Sequence, residues 1–238
     1  MNETQDKWRK AVVDTDSFYD TLKGYSYSDE QVDNWLSRWF FRFIDVSGSE
    51  RVLDLCCGDG CWSFGMLRRF PTMEITGIDV SKGAVNVANS RAICAGLGEK
   101  AIFHVHDCEK ELPVPRDHFD LIFARGLFVF NQHNMNRTGT LNLLTHWHTK
   151  LKYGGKFIAM YGSKPERFGS YTAPEATKGL PTNLCPRTTA ALEFAGGKFN
   201  HSPASFIQPF LSLDYVIARI ICYKFKNNRH TLVTERIN

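Results

Sequence analysis

Two aspartates and two glycines set out the chemistry available to this sequence. Asp54 lies in the apolar run Val52-Leu53-Asp54-Leu55, and Gly58 and Gly60 follow closely behind it. Asp79 ends a second apolar run, Ile75-Thr76-Gly77-Ile78, roughly 20 positions beyond Gly60. Glycines in a turn let the backbone approach a ligand closely. A helix starting just past them offers unpaired N–H groups and a partial positive charge. A carboxylate at the end of a neighbouring parallel strand can accept both hydroxyls of a ribose. The set therefore points to a nucleotide-type binding corner.

The elements that must position these groups follow from the pattern. Arg51 to Leu55 reads as a strand, and 61–70 as a helix stopped by Pro71. Glu74 to Val80 reads as a second strand, and Ser81 to Ala95 as a helix closed by Gly96. Its apolar side is Ala84, Val85, Ala88, Ala92 and Ala95. Ser81 can cap that helix, which leaves Asp79 for a ligand. Ala101 to Val105 and Phe119 to Ala124 are the third and fourth strands. The spacing of Leu141, Leu144, His148 and Leu151 predicts a helix over Asn134 to Lys152, ended by Gly154-Gly155. A fifth strand runs from Lys156 to Tyr161, and Tyr215 to Phe225 and His230 to Ile237 read as a closing pair joined by Asn227-Asn228. Upstream, Ser28 and Gln31 match a capping box. Val32, Trp35, Leu36, Trp39, Phe40 and Phe43 follow at helical spacing.

The order of residues in the corner discriminates between ligands. A dinucleotide dehydrogenase wants Gly-x-Gly-x-x-Gly, and here Ser63 stands at the third glycine. The arrangement Asp54-x-Cys56-x-Gly58-x-Gly60 instead resembles motif I of the class I S-adenosylmethionine (SAM) dependent methyltransferases, with Cys56 at the first glycine position. Leu151-Lys152-Tyr153-Gly154-Gly155-Lys156-Phe157-Ile158 is similar to the entry of that family's fifth strand, with Tyr153 for the usual proline. The resemblance covers residues 47–161 and, more loosely, the C-terminal pair.

It implies an α/β fold: a Rossmann-like seven-stranded sheet, mostly parallel, with a C-terminal antiparallel hairpin and helices on both faces. Residues 1–46 form a helical extension that packs on the domain or caps its site, 47–238 form the SAM-binding domain, and 162–202 form a substrate lid. SAM is the implied cofactor and S-adenosylhomocysteine the product. The implied cofactor contacts are the turn residues Cys56, Cys57, Gly58 and Gly60, Asp54 toward the methionine amino group, Asp79 on the ribose, Val80 on the adenine face, Asp107 on the adenine amino group and the Cys108 amide on the ring. Ala124 and Arg125 lie beside the methyl group, and Tyr19, with Tyr25 and Tyr27 nearby, belongs to a segment folding over the methionine end. For a hydroxyl acceptor the first candidate general base is His133, ahead of His106 and His201. Arg125 could clamp an acidic substrate.

Composition narrows the classes. A net charge of +4 is too small to argue for nucleic acid without a clustered basic face. The C-terminal set Lys224, Lys226, Arg229, His230 and Arg236 reads as a solvated sheet edge. No apolar run reaches the roughly 20 residues of a membrane span. Seven cysteines without a Cys-x-x-Cys pair suit a reduced, cytoplasmic protein without a metal site. After the fourth strand stands Ala124-Arg125-Gly126-Leu127, not the Asn/Asp-Pro-Pro-Tyr/Phe of DNA- and glutamine-modifying enzymes. The reading is methyl transfer to a small molecule at O or N, by a monomer or homodimer. An RNA or protein methyltransferase, or a catalytically inactive SAM binder, stands as the alternative, and an NAD-linked oxidoreductase trails both.

Overall fold

The computed structural model describes residues 27–125, 137–162, 182–184 and 229–237. The first element is α1 (Asp29–Trp35), continued by a π-helical turn (Leu36–Phe40) and α2 (Phe41–Phe43). The capping box is present: Ser28 Oγ accepts from the Gln31 amide, and the Gln31 side chain accepts from the Ser28 amide. Then follow β1 (Arg51–Leu55), α3 (Cys61–Arg69), β2 (Glu74–Asp79), α4 (Lys82–Cys94), β3 (Ala101–Val105), β4 (Phe119–Arg125), α5 (Arg137–His148), β5 (Leu151–Gly162), β6 (Thr182–Leu184) and β7 (Arg229–Arg236).

The strands form one sheet in the order β3-β2-β1-β4-β5-β7-β6. The first five pair in parallel, and β7 pairs antiparallel with β5 and with β6. Alternation along the strands divides the core. Val52, Leu121, Phe123, Ile158 and Met160 face a layer built with α1, α3 and α4. Leu53, Leu55, Ile122, Ala124, Phe157 and Ala159 face Leu144 and Trp147 of α5.

The N-terminal helix is integral to the first layer. Val32, Leu36, Phe40 and Ile44 are buried, one every four residues. Each such burial contributes about 1.5–3 kcal/mol. They fit because Gly65 of α3 has no side chain; a Cβ there would lie 2.6 Å from Val32 Cγ1 and 2.7 Å from Leu36 Cδ1. Arg68 of α3 grips Asp33 with Nε and Nη2 and also meets Asp29.

Four expectations are corrected. Helix α5 ends at His148, and Leu151 begins β5 opposite Phe119. Gly154, with φ of +77°, lies inside β5 where its register with β4 shifts, so the glycine pair makes a bulge and not a helix stop. Ala95, expected on the apolar side of α4, is exposed, whereas Ala84, Val85, Ala88 and Ala92 are buried. Strand β7 is flanked on both sides, and Arg236 is no solvated edge residue: its guanidinium donates to Asp117 and to the carbonyls of His148 and Leu151. The antiparallel member described beside β7 is Thr182–Leu184, within the stretch expected as a lid. The expected strand over 215–225 and the rest of that lid lie outside the described residues.

Candidate functional site

The carboxyl ends of β1, β2 and β4 converge on one turn. Past Leu55 the chain enters left-handed conformations, with φ of +60° at Cys56, +56° at Gly58 and +75° at Gly60. Cys56 thus takes the conformation a glycine would take there, at a steric cost glycine avoids. Gly60 must stay a glycine: a Cβ would lie 2.9 Å from the Phe64 ring and 3.0 Å from Phe103. The turn is fixed to β2 by two backbone donors, Cys57 N–H to the Ile78 carbonyl at 3.1 Å and Gly58 N–H to Asp79 Oδ2 at 2.9 Å.

Asp79 is half-buried, and its Oδ1 accepts from the Ser81 amide at 2.9 Å. Ser81 also caps α4 through Ala84, as expected. Asp79 therefore holds its own turn as well as facing the site. Two of the carboxylate's roughly four acceptor positions go to these amides.

Asp54 is buried and accepts from Ser63 Oγ at 2.6 Å. Burial, opposed by that hydrogen bond and reinforced by the Asp79 charge, raises its pKa to about 7. The missing third glycine of the sequence pattern is thus the hydroxyl that steadies Asp54. Asp59, between the two glycines, is also buried. It accepts from the Cys61 amide and from Arg91 Nη1 at 3.1 Å each. Arg91 further reaches Asp29 of α1 and stacks 4.7 Å from the Phe64 ring. One guanidinium so joins the N-terminal helix to the glycine turn.

Arg125 ends β4 with its guanidinium 3.9 Å over the Trp62 ring and 4.7 Å over Tyr27, whose hydroxyl accepts from Nη2 at 3.2 Å. Asp107 shapes the turn after β3, accepting from the Glu109 amide at 3.0 Å. Cys108 lies beside Cys56, Sγ to Sγ 4.0 Å, and its carbonyl accepts from Trp147 Nε1 at 2.9 Å. Val80 is half-buried next to Asp79. Cys57 and Ala124 place their side chains in the two core layers, so they can serve a ligand only through backbone. Among the weaker bases, His106 is tied through Nε2 to the Glu111 carbonyl at 2.7 Å. Tyr19, His133 and His201 lie outside the described residues.

The comparisons with known proteins fall on this corner. Residues 52–155 match the family model described as "Methyltransferase domain". Over this stretch the chain is similar to methyltransferase domains. It is 26% identical over 144 residues to demethylmenaquinone methyltransferase of Bacillus subtilis, covering 60% of this chain and 58% of that protein. It is 31% identical over 125 residues to malonyl-[acyl-carrier protein] O-methyltransferase 1 of Ilyobacter polytropus, covering 51% and 42%. The chain spans about half the length of these relatives. Geranyl diphosphate C-methyltransferase of Streptomyces coelicolor, solved with S-adenosyl-L-homocysteine, shares the fold at TM-score 0.55 and 14% identity, covering 91% of this chain and 86% of that one. The structure brings the expected Asp54, Gly58, Gly60 and Asp79 together at one turn. Sequence reading gave no role to the Ser63 hydroxyl or to Asp59, and it missed Arg91 and Trp62, whose partners Asp59 and Arg125 come from other segments.

Proposed function

We propose that the chain is a SAM-dependent methyltransferase acting on a small-molecule acceptor at O or N. The observation that carries this reading is the pair of carboxylates at the carboxyl ends of β1 and β2, on either side of a glycine turn. The donor set fits the cofactor. Asp79, at the carboxyl end of β2 beside the turn, would accept from the ribose hydroxyls. Asp54, buried with a pKa of about 7, gains a counter-charge from the methionine ammonium. Asp107 stands for the adenine amino group, the Cys108 amide for the ring and Val80 for its face. The family match over the same corner supports the choice.

When bound, SAM supplies an electrophilic methyl group that an acceptor lone pair attacks in line. The chain's own part is to hold and to exclude. Trp62 and Tyr27 fix Arg125 at the end of β4, where it can orient an anionic acceptor. The N-terminal helix, latched by Arg68 and Arg91, brings Tyr27 to the same place. Positioning of this kind accounts for much of the rate in two-substrate transfers. Where the acceptor is a hydroxyl, His133 is the proposed base.

Calorimetric titration of the purified chain with SAM, and separately with NAD, tests the reading. Micromolar SAM binding, weakened at least tenfold by Asp79→Ala, is expected. Binding of NAD alone, or of neither, refutes it. Binding without turnover across an acceptor screen would leave a SAM-binding protein that has lost catalysis.

A further inference from the structure

Among the described residues five cysteines lie outside disulfides, and they differ in setting. Cys57 and Cys61 are buried in the α1–α3 layer, and Cys94 is exposed. Cys56 and Cys108 are both half-buried and face each other, Sγ to Sγ 4.0 Å, across 52 residues of sequence. They belong to different walls of the site. Cys56 opens the glycine turn with a left-handed φ of +60°, and Cys108 follows Asp107 on the turn after β3. The hydrogen bond with Cys108, and then burial, push the Cys56 thiol well above its ordinary pKa. Cys56 thus stays protonated and is not the sulfur that meets the oxidant first.

We infer that Cys56 and Cys108 form a reversible thiol–disulfide switch that closes the cofactor site under oxidation by a hydroperoxide. The inference rests on the SAM-binding reading above. The Cys108 sulfur attacks a peroxide oxygen and the O–O bond breaks, forming a sulfenic acid, while the thiol proton goes to the departing oxygen, which leaves as water. The Cys56 sulfur then attacks the sulfenic sulfur and displaces a second water. Two thiols are oxidised by two electrons and one peroxide is reduced to two waters. A disulfide needs its sulfurs about 2.05 Å apart, so the two walls must approach. Both are anchored, the turn through Cys57 and Gly58 to β2 and the Cys108 carbonyl to Trp147. The approach therefore narrows the space between Gly58 and Asp107.

The test uses the full chain. Reduced protein is titrated with SAM, then again after hydrogen peroxide and after dithiothreitol. Non-reducing tryptic mapping follows the link between residues 52–68, which hold Cys56, Cys57 and Cys61, and residues 101–110, which hold Cys108. The expected result is that linked peptide, a loss of SAM affinity of at least tenfold, and recovery on reduction. In Cys56→Gly and Cys108→Ser the linked peptide disappears and peroxide no longer changes affinity. Absence of the linked peptide in the parent chain overturns the switch. So does a linked peptide with affinity within twofold, or a link that persists in Cys56→Gly through Cys57. Failure of the reduced protein to bind SAM, seen before any oxidant is added, overturns the cofactor reading and the switch with it.

Discussion

At the amino ends of the parallel strands, Lys152 Nζ lies 2.6 Å from Asp120, whose other oxygen accepts from the Arg51 amide at 2.9 Å. Arg51 meets Glu74, and Arg236 meets Asp117. The buried Lys150 gives its ammonium to Glu111 and to the carbonyls of Leu112 and Val114. At the carboxyl ends the acids are treated differently. Asp79 holds two amides, Asp54 takes one hydroxyl, and Asp54 remains costly to ionise. The first end neutralises its own charge and closes the fold. The second, on the reading proposed above, keeps Asp54 and Asp79 for a ligand. Desolvated, partly satisfied acids in a cleft of this kind mark function more than stability.

The largest effect that tests this contrast is Asp79→Ala. On the proposed reading it removes a carboxylate acceptor from two ribose hydroxyls. At about 1.5–3 kcal/mol for each charge-assisted hydrogen bond, SAM affinity falls roughly a thousandfold. Calorimetry checks it, and a loss below tenfold would mean that Asp79 serves only the turn.

The next effect belongs to the amino end. His148 is buried between the Leu144 carbonyl, 2.6 Å from Nδ1, and Thr234 Oγ1, 2.7 Å from Nε2. Burial lowers its pKa from 6.5 to about 4. The folded state thus prefers the neutral ring, and its contribution is present above pH 6.5 and lost as pH falls toward 4. At 1.36 kcal/mol per pH unit of difference, the loss is about 3 kcal/mol. Denaturant midpoints between pH 7 and 4 should show it, and a His148→Gln variant should flatten that part of the profile.

Asp54 should show the opposite sign. Its folded pKa of about 7 lies above the ordinary 3.8, so the unliganded fold loses stability as pH rises from 4 to 7. SAM binding gains over the same upper range, because the ionised carboxylate pairs with the ammonium. Affinity should rise about tenfold between pH 6 and 8, in line with the one-for-one proton linkage of a single group. Asp54→Asn removes the buried charge. It should stabilise the unliganded protein at pH 8 by on the order of 2 kcal/mol while weakening SAM binding about tenfold. A variant that loses both stability and affinity would place Asp54 with the structural acids.

What could be read from sequence follows the same division. Asp54, the glycines and Asp79 were legible because one turn and one βα repeat fix their spacing. The strands were legible from apolar runs and the N-terminal helix from its capping box. The end of α5 was misplaced because Leu151 continues a helical spacing that Leu144 and His148 begin, and only pairing with Phe119 assigns it to a strand. Arg236 was misread because Asp117 lies 119 residues away. Tyr27 and Arg125 are 98 residues apart, Asp59 and Arg91 are 32, and Cys56 and Cys108 are 52. No periodicity reports such contacts, since the sheet order alone creates them.

The smallest effect sharpens the comparison from the other side. Arg51 Nε and Glu74 Oε2 are 3.2 Å apart, with side chains 45% and 61% exposed. Solvent screens such a pair to about 0.5 kcal/mol or less. Arg51→Ala keeps the backbone amide that Asp120 accepts, so the strand register survives. The melting temperature should fall by only about 1–2 °C for a chain of this size. SAM affinity should not change, since Arg51 lies at the amino end of β1 and Asp54 near its carboxyl end. An affinity loss of tenfold in this variant would show that the two ends of the sheet are energetically coupled. The carboxyl-end acids could then no longer be treated as held apart for a ligand.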